Sequence, residues 1–122
     1  MTFEAVVEAA VEASVQSDEM RKLRRDLDNA SIPDGTKGRE VLLGFAMRFC
    51  EVMQVEGREP DQWESEFVIT AIGALRKGLN RYATTCLKKA LTDPAHSEQG
   101  VRGHGGTSRQ ELEQMIAAAR SL

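Results

Sequence analysis

The side chains best suited to nucleophilic or metal chemistry are two cysteines and two histidines, and their positions favour neither chemistry. Cys50 and Cys86 are far apart in the sequence, and each lies inside an apolar helical pattern, as small buried hydrophobic residues do. His96 and His104 lie in a glycine-rich stretch, where a catalytic base lacks a fixed orientation. Zinc sites need closely spaced ligand pairs, which are missing. We therefore expect a non-enzymatic protein without catalytic residues, metal or cofactor.

Two other patterns suggest ligand chemistry but have simpler explanations. Gly103–Ser108 precedes a predicted helix, whose free N–H groups attract anions, yet no strand precedes this run and the Lys-Ser/Thr pair of a phosphate loop is missing. Glu4, Glu8 and Glu12 follow one helix edge. A di-iron bundle would also need Glu-x-x-His pairs, which do not occur. We interpret the first pattern as a linker leading into a helix and the second as a solvated or salt-bridging edge.

Clustered cations are the pattern that most favours a macromolecular partner. Nucleic-acid contacts would come from two groups, Arg21, Lys22, Arg24 and Arg25 in the first and Lys77, Arg81, Lys88 and Lys89 in the second. Both groups can follow phosphates, so a nucleic-acid-binding regulator is the alternative function. The isoelectric point near 5.4 and the low aromatic content count against it. Because residues 1–19 hold acids and no base, their glutamates can instead meet the second basic group, within one chain or across two.

An aromatic pair, Trp63 and Phe67, is the second feature that favours a partner. Both rings fall on the helix face opposite an apolar stripe made of Val68, Ile72, Leu75, Leu79, Tyr82, Cys86 and Ala90. Either helix one or the C-terminal helix covers the rings, or they belong to an interface, where tryptophan is enriched. A homodimer satisfies both alternatives. The predicted interface residues are Trp63, Phe67, Ala74, Lys77, Arg81 and Lys88, with Leu112, Met115 and Ile116 on the last helix.

Helices must position these residues, because apolar residues recur at three- and four-residue spacing and strict alternation is absent. The sequence predicts an all-α bundle of four or five helices. Residues 3–29 form either two helices joined near Val15–Ser17 or one helix with two contact faces, and the acids after Ser17 favour the break. A second helix, from about Gly38 to Glu56, has the widest apolar arc and is predicted to be central.

A third helix is predicted over Pro60–Leu91, as the longest of the bundle. It contains Gly73 and Gly78, each of which costs about 1 kcal/mol relative to alanine in a helix interior. These glycines therefore mark a kink, a close helix crossing or a break into two helices.

The predicted organisation is a bundle domain over residues 1–92, a glycine-rich flexible linker over 93–107 and an amphipathic helix over 108–122. The last helix begins at a capping box formed by Ser108 and Glu111. A helix this short is marginal in isolation, so we expect it to dock on its own bundle or on a partner.

These observations lead to a functional hypothesis. No apolar run approaches the roughly 20 residues of a bilayer span and no signal peptide is evident, so we expect a cytoplasmic protein without membrane contact. We predict a bacterial-type, regulatory protein–protein interaction module of the adaptor, inhibitor or chaperone kind, which forms homodimers and binds another protein. A small-ligand pocket lined by Met20, Met47 and Met53 is a weaker third hypothesis, since such methionines usually fill cores.

Overall fold

The computed structural model describes residues 17–92 and 107–121, and the regular structure within these ranges is entirely helical. They form five helices: α1 Asp18–Asn29, α2 Gly35–Glu56, α3 Gln62–Arg76, α4 Asn80–Ala90 and α5 Arg109–Arg120. The predicted all-α bundle is confirmed. The predicted helix upstream of Ser17 and most of the predicted linker lie outside the described residues. No helix in the described ranges has the length and apolar character needed to cross a membrane.

Helix α1 begins where the acids after Ser17 predict a helix start. The Ser17 backbone is extended, with ψ at 160°, and its hydroxyl accepts a hydrogen bond from the Met20 N–H. A single helix running through Ser17 is therefore excluded. The Ser17 hydroxyl also donates to the Glu56 carboxylate at 2.9 Å, so the start of α1 lies beside the end of α2 and the two helices run antiparallel.

Helix α2 is the central element, as its wide apolar arc predicts, and it contacts each of the other four described helices. It ends at Gly57, whose φ of 68° is a left-handed conformation that favours glycine. The Arg58 N–H then bonds the Met53 carbonyl at 3.1 Å, which closes the helix end. Phe49 and Met53 on the inner face are buried in the common core.

The single long helix predicted over Pro60–Leu91 is wrong, because the chain turns back at Gly78. Gly78 has a φ of 78°, and the Leu79 N–H bonds the Ala74 carbonyl at 2.9 Å, the hydrogen bond that typically follows such a glycine. Of the three roles considered for this glycine, the structure selects the break. The result is an antiparallel pair, α3 and α4, and α2 becomes the longest described helix at 22 residues.

Helix α5 docks on its own bundle, which the sequence left open. Leu112, Ile116 and Ala119 are fully buried against α2 and α3. Burying each large side chain contributes about 1.5–3 kcal/mol. The Ser65 hydroxyl donates to the Thr107 carbonyl at 3.0 Å and so holds the start of α5 against α3.

The α1–α2 loop packs closely on the start of α2, and a side chain of α4 bonds to the same region. A Cβ atom at Gly38 would lie only 1.8 Å from the Pro33 carbonyl oxygen, so this position has no room for a side chain. The buried Asn80 amide donates to the Gly35 carbonyl at 3.1 Å. This contact positions the α3–α4 turn relative to α2.

Candidate functional site

The two thiols are sealed inside the bundle. Cys50 and Cys86 are free and buried. Burial raises the pKa of Cys50 to about 12, and burial also raises the pKa of Cys86. Both thiols are therefore neutral near pH 7 and lack the thiolate form that reacts or binds metal. Among the described residues no cluster of three His, Cys, Asp or Glu is arranged to hold a metal ion, and His96 and His104 lie outside them.

The aromatic pair is partly covered by the chain itself. The rings of Trp63 and Phe67 meet edge to face, with centroids 4.8 Å apart. The Trp63 indole N–H donates to the Lys89 carbonyl at 3.2 Å, and the Lys89 ammonium lies 5.5 Å from the centre of the Phe67 ring. Both rings are half-buried, and the nearby candidate Ala74 is buried. Helix α4 thus covers part of both rings, whereas the sequence interpretation expected that cover from helix one or the C-terminal helix.

The predicted basic groups do not form one open surface. Lys88 lies 3.6 Å from the Asp28 carboxylate, and the Arg24 guanidinium donates to the Lys88 carbonyl at 2.9 Å. Arg24 also pairs with Asp28, while Arg21 pairs with Asp18 at 2.7 Å. These contacts connect α1 to α4 and neutralise part of each group. Among these predicted cations, the exposed side chains without an ion pair in the described ranges are those of Lys22, Arg25, Lys77, Arg81 and Lys89.

The α3–α4 turn carries an exposed surface of mixed character, which we call the turn patch: Lys77, Leu79, Arg81 and Tyr82. Leu79 is 51% exposed and Tyr82 is 55% exposed. Assigning these two residues to a core stripe was wrong, because that stripe assumed a helix continuous through Gly78. Gly78 was the available sequence signal, because a helix break there removes Leu79 and Tyr82 from the stripe and allows them to be exposed.

A second surface lies on the outer side of α2. Gly44, Arg48, Glu51 and Val55 recur there at alternating four- and three-residue spacing, and we call them the outer stripe. An open groove of about 480 Å³ borders it, lined by Val41, Gly44, Phe45, Met47, Arg48, Glu51 and Arg120. Val55 is 83% exposed at the other end of the stripe. The sequence interpretation treated α2 as a core helix and missed this surface.

The remaining candidates divide between core and surface. Leu112 and Ile116 are fully buried between helices of their own chain, and Met115 is 37% exposed. Of the three methionines proposed to line a ligand pocket, Met20 and Met53 are core residues and only Met47 borders the groove. The hypothesis of a ligand pocket shared by these three methionines is therefore wrong.

Comparison of the whole chain with protein-family models, with curated proteins and with solved structures finds no match in any of the three.

Proposed function

We propose that this chain is a small non-enzymatic protein–protein interaction module that forms homodimers and binds an acidic partner protein through the turn patch. The observation that carries this proposal is the exposure of Leu79 and Tyr82 beside two cations. Tyrosine and arginine are enriched among the residues that contribute most to interface affinity. An exposed leucine next to them offers apolar area that a partner can bury.

Charge suggests the chemistry of the partner. The chain carries a net charge of −3, yet neither Lys77 nor Arg81 forms an ion pair within the described ranges. The positive charges of Lys77 and Arg81 would therefore attract an acidic surface of a partner. Such attraction raises the association rate and selects against basic partners. The matching ligand is a segment with carboxylates around one or two apolar side chains.

The turn is also firmly held, which lowers the entropic cost of binding. Three backbone hydrogen bonds close the end of α3 around Gly78, and the Asn80 amide donates to the carbonyl of Gly35, the first residue of α2. Leu79 and Arg81 flank that anchored asparagine. We propose that binding leaves the backbone of the turn unchanged.

The non-enzymatic assignment and the cytoplasmic location belong to the same proposal. Cys50 and Cys86 are buried, unpaired and neutral, which favours a packing role over a catalytic one. Free thiols also suit a reducing compartment.

A displayed library of short peptides tests the proposed specificity. We expect the wild-type chain to select acidic peptides with an apolar residue, and Tyr82→Ala and Arg81→Glu each to weaken the binding of a selected peptide by about tenfold or more. Lys22→Glu is the matched control, because it makes the same charge change on α1 and should leave the affinity within about twofold. Selection of peptides without acidic residues, or equal affinity in all variants, would contradict the proposal.

Nucleic-acid binding is the alternative function, and a separate experiment tests it. It would use Lys77 and Arg81 without Tyr82 or Leu79 as the main contacts, and its affinity would fall steeply with salt. Retention of duplex or single-stranded oligonucleotides at low salt, lost in Lys77→Ala with Arg81→Ala, would support this alternative.

A further inference from the structure

We propose that two copies of this chain pair through the outer stripe of α2, with the two α2 helices antiparallel about a two-fold axis. The inference rests on the homodimer in the proposed function and identifies the surface that forms it. It assigns the dimer to α2 and not to the aromatic pair or to α5.

The first support is that one helix face carries both a protruding side chain, Val55, and an open space that could receive it, beside Gly44. Val55 is the most exposed large apolar side chain among the described residues. At Gly44, toward the other end of the stripe, an added Cβ atom would meet no atom within 4 Å. Glycine in a helix interior is less favourable than alanine, and the space beside Gly44 stays open within the described chain. Close approach of a second helix gives this glycine a role.

The second support is the charge pattern. An antiparallel pair that sets Gly44 against the partner's Val55 also sets Arg48 against the partner's Glu51. Two-fold symmetry repeats both contacts, so the pair would contain two identical ion pairs and two filled recesses. The alternating four- and three-residue spacing is the one that keeps a helix seam facing its partner. A parallel pair in register would instead oppose two copies of Arg48.

The charges already around the stripe agree with this arrangement. Arg48 donates to Asp26 at 2.9 Å and lies 5.5 Å from the centre of the Phe45 ring, so its guanidinium is held in place. A guanidinium has five N–H donors, which leaves several for a second carboxylate. Glu51 is exposed and has no ion-pair partner among residues 17–92 and 107–121. Its carboxylate is therefore available to the partner.

A charge-exchange experiment tests the pairing directly. Arg48→Glu and Glu51→Arg each place like charges opposite one another, so each variant alone should dimerise at least about tenfold more weakly than the wild type. Mixed together, the two variants should form a one-to-one heterodimer, because carboxylates on one chain then face cations on the other. Analytical ultracentrifugation over a wide concentration range measures the dimer dissociation constant of each variant. Ion-exchange chromatography of the mixture separates the heterodimer from the two homodimers, because the two variants differ in net charge.

A recess-filling variant provides a second, independent test. Gly44→Leu occupies open space, so it should raise the thermal midpoint of the monomer through better helix propensity while weakening dimerisation about tenfold or more. Arg76→Glu, which makes the same charge change as Arg48→Glu at the exposed end of α3, should dimerise like the wild type.

Three results would overturn the inference. These are a wild type that stays monomeric at high micromolar concentration, charge variants that dimerise as strongly as the wild type, and a mixture that forms no heterodimer although both chains are folded by circular dichroism. Peptide binding measured on the same samples separates the two proposals. A monomer that still binds acidic peptide through Tyr82 would overturn the dimer and leave the turn patch supported.

Discussion

Arg58 and Glu64 form a two-point ion pair across the connection between α2 and α3, with Nη1 to Oε1 at 2.9 Å and Nη2 to Oε2 at 3.1 Å. Glu64 Oε1 also accepts the Asp61 N–H at 3.0 Å, and the Asp61 carboxylate accepts the Glu64 N–H at 2.8 Å. One carboxylate thus closes a capping box and anchors the residue that follows Gly57. The pair joins the end of one helix to the start of the next.

Removing this carboxylate should destabilise the fold more than removing its cation. We expect Glu64→Ala to lower the free energy of unfolding by about 2 kcal/mol, because it removes the Glu64 half of the capping box and the charge-assisted hydrogen bonds to Arg58. Arg58→Ala should cost about half as much, since the arginine is partly exposed and the cap survives. Urea denaturation of both variants measures the difference. Equal losses would contradict the assigned double role of Glu64.

Gly38 and Gly44 should respond oppositely to the same substitution. Gly38→Ala would drive a Cβ into the Pro33 carbonyl and should cost about 2 kcal/mol or more. Gly44→Ala meets open space and should stabilise the monomer by about 0.5–1 kcal/mol. The two glycines lie in the same helix, so each variant controls for the other in thermal denaturation. A destabilised Gly44→Ala would show that its surroundings are not open.

The buried thiol of Cys50 predicts a loss of stability in alkali. Burial raises its folded-state pKa to about 12 from the ordinary value of 9.0. Between these values the unfolded chain loses the proton while the folded chain keeps it, so the free energy of unfolding falls as the pH rises above about 9. The urea midpoint of the wild type should therefore be lower at about pH 10 than at about pH 8. The same comparison in Cys50→Ala should give a smaller decrease. Identical slopes in the two proteins would refute this assignment.

Helix α5 should behave as part of the core and not as a detachable arm. Ile116→Ala removes a fully buried side chain and should cost about 2–5 kcal/mol. Met115→Ala, one residue earlier and 37% exposed, should cost less than about 1 kcal/mol. In the wild type, the amides of α5 should exchange hydrogen as slowly as those of α2. Exchange in α5 should become faster in Ile116→Ala and stay unchanged in Met115→Ala. Rapid exchange in the wild type would show that the helix opens separately.

Local patterns accounted for the helical class and several helix ends. Ser17, Gly57 and Ser108 mark ends where the structure has them, because a cap depends on hydrogen bonds within a few residues. The wide apolar arc of α2 correctly predicted its central place. The turn patch could not be predicted in the same way, since Leu79 and Tyr82 have the spacing of core residues on an unbroken helix.

What the sequence alone determined was therefore the helical class, several helix ends and the buried faces of α1 and α2, because periodicity and capping act over one or two turns. Only the tertiary structure decided that Gly78 breaks a helix, that Lys88 turns toward Asp28, and that Leu112 packs inside its own bundle. Each of these depends on groups far apart in the chain competing for the same space or charge. The open stripe on α2 appeared for the same reason, since a surface is defined only once every other helix has been placed.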